Sequence, residues 1–74
     1  MNRIAHVRIE RNAPSEEGVW SLYCEGEFRE RYASADSARR AALKLEPDAQ
    51  ELRIDTRDEN GRSLSRENIS SRTR

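Results

Sequence analysis

The 74 residues predict a two-layer α+β sandwich, a mostly antiparallel sheet of four to five strands in the order β-β-β-α-β-β with one helix on one face. Three observations lead there. Apolar residues alternate with polar ones around residues 4–9, 19–25 and 50–57, the period of a half-buried strand. One segment, ASADSARRAALKLEP, switches to helical spacing. Gly26 and Asn60-Gly61 stand where hairpins must reverse the chain.

In RIAHVRIE, Ala5, Val7 and Ile9 fall on one face and Ile4, His6 and Arg8 on the other. RNAPSEEG, residues 11–18, reads as a loop. The second strand, 19–25, points Trp20, Leu22 and Cys24 inward and Val19, Ser21 and Tyr23 outward. After Gly26, strand 27–32 is expected to place Phe28 and Tyr32 inward, with Glu27, Arg29 and Arg31 opposite. Glu30, on the parity of Phe28 and Tyr32, marks an edge strand, because an inward-leaning charge discourages further pairing.

Ser34 is the expected N-cap, and Asp36 suits the positive end of the helix dipole. Ala38, Ala41, Ala42 and Leu45 form the packing face, with Arg39, Arg40 and Lys44 toward water. Pro47 disfavours helical geometry at Glu46, so the helix is expected to stop near Leu45. QELRIDTR resumes alternation with Leu52, Ile54 and Thr56 inward, and a brief strand at 62–65 follows with Leu64 as its apolar contact. Residues 1–65 thus read as one domain and 66–74, whose one apolar residue is Ile69, as a mobile polar tail.

Several functional classes are disfavoured by composition. The formal net charge is zero, with 14 basic and 14 acidic residues, so the basic excess typical of nucleic-acid binders is missing. The charge is uneven: +2 over residues 1–11, −5 over 12–61 and +3 over 62–74. A single Cys permits no internal disulfide, there is no apolar run of membrane-spanning length, and MNRIAHVRIE lacks a signal-peptide core. These features suit a reducing, cytoplasmic setting and no membrane partner. The small core favours a homodimer, since pairing buries additional apolar surface.

The elements His6-Val7, Gly18-Val19-Trp20, Gly26, Ala38, Ala41-Ala42 and Gly61 together resemble a family of short bacterial proteins of unknown function. That family has a His-Val strand, a Gly-x-Trp strand, an Ala-rich helix and a final strand with a Gly turn. The resemblance spans roughly residues 5–64. It implies the same fold and supplies no chemistry. This chain departs from the pattern by its acidic loop after the first strand and its Arg-rich end.

No catalytic arrangement emerges. Cys24 would need a base beside it, and alternation sends His6, the single histidine, to the other face. One His and one Cys fall short of a structural zinc set, and Asp55, Asp58 and Glu59 lack calcium-loop spacing. The chain is expected to be non-enzymatic and without cofactor. What remains is the helix-free face of the sheet. Alternation displays Tyr23, Arg29 and Arg31 there, together with His6, Arg8, Arg53 and Arg57, and Glu27, Glu51 and Asp55 lie among them. Tyr and Arg are enriched at protein interfaces, which predicts an unidentified protein partner. The same residue types can stack nucleic-acid bases, the alternative reading. A third possibility is a solvated ladder of cross-strand ion pairs.

Overall fold

The computed structural model describes residues 3–12 and 19–70. Most of the expected loop at 11–18, Gly18 of the family pattern and residues 71–74 of the expected tail lie outside them.

Among the described residues, five strands and one helix follow in the expected order: β1 (Ile4–Arg11), β2 (Trp20–Cys24), β3 (Glu27–Tyr32), α1 (Ala35–Ala42), β4 (Glu51–Arg57) and β5 (Ser63–Ser70). The sheet runs β3-β2-β1-β4-β5. A meander lays β2 and β3 to one side of β1, and the helix carries the chain back to the other side. There β4 pairs parallel to β1, the single parallel pair in a mostly antiparallel α+β sandwich. β1 is therefore the central strand, which suits its unbroken alternation.

The core lies between sheet and helix. Ala5, Val7, Ile9, Leu22, Cys24, Leu52 and Ile54 are buried under the helix layer, with Ala38, Ala42 and Ala49 closing it from above. Each buried Ile or Leu side chain contributes about 1.5–3 kcal/mol. Ala38 and Ala42 have no exposed surface, so small side chains bring the helix close to the strands. Trp20, Tyr32, Ala41, Leu45 and Ile69 pack around this centre.

The ends of α1 follow from local chemistry. Ser34 has extended backbone, and its hydroxyl accepts the Ser37 N–H at 3.1 Å, as an N-cap requires. The regular helix stops at Ala42, earlier than expected. The Lys44 and Leu45 N–H groups bond back to Ala41 and Ala42 at 3.1 and 3.0 Å, the tighter three-residue spacing that often closes a helix. Glu46 then takes a φ of 48°, in the left-handed region, and so leaves the right-handed helical geometry that Pro47 disfavours.

Four expectations need correction. Phe28 does not join Tyr32 under the helix. The β2–β3 register shifts between Leu22 and Tyr23, pairing Phe28 with Tyr23 and Glu30 with Leu22, so Arg29 is an extra residue. The two-residue turn at Glu25-Gly26 sets Phe28 on the open face, where it is 52% exposed, and the bulge returns Glu30 and Tyr32 to the helix side. β5 runs to Ser70 rather than ending at 65, because Ile69 pairs with Leu52 and Glu67 with Ile54 on the helix side. Leu64 is no core contact: a second register shift, between Thr56 and Arg57, leaves it 57% exposed. Finally, Asn60-Gly61 does not form a two-residue turn. Gly61 alone in that loop has positive φ, and Asp58 Oδ1 accepts the N–H groups of Asn60 and Arg62 at 2.9 Å each. This is the three-residue hairpin loop that ends in a left-handed glycine. The two-residue turn occurs instead at Glu25-Gly26, both with positive φ.

Candidate binding face

The helix covers one side of the sheet, and the other is bare among the described residues. Register alone puts Tyr23 opposite Arg8, Arg8 beside Asp55, His6 beside Arg53 and Asp55 opposite Arg66, all on the bare side. They surround a groove of about 300 Å³ whose floor includes the backbones of the buried Val7 and Ile54. Asn68 closes it on β5 and Gly26 at the β2–β3 turn.

One end of this face is aromatic. The Arg8 guanidinium lies 4.3 Å above the centre of the Tyr23 ring, a cation–π stack. Tyr23 in turn meets Phe28 edge to face, at 5.7 Å between centroids and 71° between planes. The Arg8 Nε lies 3.1 Å from Glu10 Oε2 but off the hydrogen-bonding angle, so it is shielded from solvent without a hydrogen-bond acceptor among the described residues.

The other end is charged. Arg53 Nε donates to Glu51 Oε2 at 2.9 Å, and Arg57 Nε donates to Asp55 Oδ2 at 2.8 Å. These pairs run along single strands, two residues apart, rather than across strands as the expected ladder would. A cross-strand pair at this end is Arg66–Asp55, at a loose 3.8 Å. Burial pushes the Asp55 carboxyl up, but hydrogen bonds from Ser63 and Arg57, with the charges of Arg57 and Arg66, outweigh it and hold the group below its ordinary value.

Of the seven residues singled out from the sequence, His6, Arg8, Tyr23, Arg53 and Arg57 line the groove. Arg29 does not. As the bulge residue it turns to the helix side, where its guanidinium lies 3.9 Å from Glu46, which also pairs with Arg3 at 2.6 Å. Arg31 stays on the bare face opposite Ser21, on β3 and away from the groove. Ser21 is buried rather than displayed, and its hydroxyl donates to Asn12 Oδ1 at 2.9 Å. The sequence reading missed Phe28, Arg66 and Asn68. Ile69, two residues beyond Glu67, carried the alternation that would have extended β5 over the last two. Gly26 marked the tight turn that sets Phe28 opposite Tyr23, but no sequence signal announced the bulge that puts Tyr32 on the other face.

Two further placements bear on chemistry. Cys24 and His6 lie on paired strands but opposite faces, and burial pushes the Cys24 thiol up, away from the reactive thiolate. Among the described residues, no three His, Cys, Asp or Glu side chains gather as a metal site. Nor is any described helix long and apolar enough to cross a membrane. No family model matches this chain, and neither does a curated protein or a solved structure.

Proposed function

We propose that this chain is a small non-enzymatic protein-interaction module or regulator, of bacterial or phage origin, that binds its partner through the groove face. One observation carries the reading: Phe28 is half exposed on a polar sheet surface, fixed against Tyr23 with Arg8 stacked above. An exposed, rigidly packed aromatic beside Arg is the composition of an interface core, since such side chains lose little entropy on binding. The family likeness of short bacterial proteins, a cytoplasmic setting and homodimerisation complete the proposal. For dimerisation, the outer edge of β5, unpaired among the described residues, offers a row of backbone donors and acceptors to a second copy.

The second reading, a nucleic-acid accessory protein, draws on the same ring pair, since exposed aromatics beside Arg can stack bases. Affinity capture with the native chain and with Phe28→Ser/Arg53→Gln separates the two. The protein reading expects a defined partner that the variant loses while its melting temperature stays near native. A partner retained by the variant removes the groove from the proposal. Capture of RNA or DNA whose affinity falls steeply with salt would transfer the proposal to the second reading.

A further inference from the structure

Resting on the protein-binding reading, we infer that the groove accepts an acidic peptide segment of the partner, with its carboxylates held by Arg53, Arg57 and Arg66. Four of the groove's lining side chains are Arg, against one carboxylate, Asp55. More telling is how two of them are held. Arg53 and Arg57 each spend a hydrogen bond from Nε on a carboxylate two residues along the strand. Their terminal Nη groups donate to no acceptor among the described residues. A guanidinium is a planar fork of five donors that suits a carboxylate bidentately. Tethering at Nε restricts each fork while leaving its terminal donors for a ligand, so less freedom is lost on binding. Arg66 is 76% exposed and only loosely paired with Asp55, which frees it to close over a bound anion.

The charge pattern selects a short acidic segment over a polyanion. Glu10 and Glu51 flank the groove through their pairs with Arg8 and Arg53, so positive charge does not continue along the face. A phosphate backbone follows a continuous basic track, and the chain as a whole has no net charge to attract one. A volume of about 300 Å³ holds only a few side chains. Phe28 and Tyr23 at the aromatic end supply apolar contact, so the segment should carry an aliphatic or aromatic residue next to its acidic ones.

The test is a titration of the full chain, followed by its amide NMR spectrum, with three probes. One is a hexapeptide of Asp and Glu around a single Leu; the second is its counterpart with Lys in place of the acids; the third is a thymidine oligonucleotide. The acidic peptide is expected to shift the amide signals of His6, Arg53, Arg57 and Asn68, and to weaken as salt rises. Arg53→Gln/Arg57→Gln should reduce its affinity by about tenfold or more without changing the melting temperature. Should that variant lose the native spectrum, Arg66→Gln alone carries the comparison. Equal binding of acidic and basic peptides, no binding of either at millimolar concentration, or tighter binding of the oligonucleotide would each overturn the inference. This inference and the interaction reading fail separately: a captured partner that the groove variant loses, but whose docking segment is not acidic, leaves the interaction reading standing while this inference falls.

Discussion

Tyr23 and Phe28 meet edge to face on the bare side of the sheet, 5.7 Å between ring centres, although simple alternation sends them to opposite faces. The turn at Glu25-Gly26 pairs Cys24 with Glu27 and hence Tyr23 with Phe28. One residue further, Arg29 is extruded as a bulge, which restores Glu30 and Tyr32 to the helix side. The turn thus supplies the binding face with its exposed aromatic, and the inserted residue removes one of its expected arginines.

Phe28 should therefore matter little for folding. Phe28→Ser is expected to cost about 1 kcal/mol, the small effect of an exposed substitution plus the lost edge-to-face contact with Tyr23. Leu22→Ala, at a fully buried position, should cost about 2–5 kcal/mol. Denaturant melts of the two variants check this, and equal losses would mean Phe28 belongs to the core.

The helix face offers a sharper comparison. Ala42 has no exposed surface, whereas Ala41 is only partly buried. Ala42→Asp places a carboxylate in the core without a partner and is expected to cost about 2–5 kcal/mol, enough to unfold a domain this small. Ala41→Asp can turn its carboxylate toward solvent and should cost clearly less. Amide spectra and thermal melts distinguish them.

The Arg39–Glu67 pair joins the helix to the last strand through two bonds of 2.8 and 2.6 Å. Hydrogen bonds from Arg39 outweigh desolvation and hold the Glu67 carboxyl below its ordinary value. A carboxylate depressed on folding adds stability above its unfolded pKa, about 4.3 for Glu, and loses it as pH falls through the lower folded value. Glu67→Gln should thus melt below the native chain at pH 7, with the gap closing as the medium is acidified through the carboxylate range. A pH-independent gap would assign the effect to packing instead.

Self-association should proceed through β5, because β3 guards its own edge with the Arg29 bulge and the inward-leaning Glu30. Sedimentation is expected to show a dimer at tens of micromolar, and Asn68→Pro to shift it toward monomer. A sharp monomer at millimolar concentration would remove dimerisation from the proposal.

Periodicity determined the element order, the inward set on β1, β2 and β4, and the helix cap, because each depends on neighbours within a few residues. It also placed His6, Arg8, Tyr23, Arg53 and Arg57 on one face, since alternation along a regular strand leaves no choice. Tertiary structure decided the rest. That β1 lies between β2 and β4 follows from how the helix returns the chain, and only this brings Tyr23, Arg8, Asp55 and Arg66 side by side. Phe28 lies on the bare face because the two-residue turn pairs it with Tyr23, and Arg29 leaves that face because it is the bulge residue, which brings it to Glu46. Residues 66–70, too polar to suggest a strand, became one because β4 offered an open edge, Leu52 a site for Ile69 and Arg39 a partner for Glu67. Local spacing chooses which side chains share a face; pairing between distant segments chooses which of those faces meet.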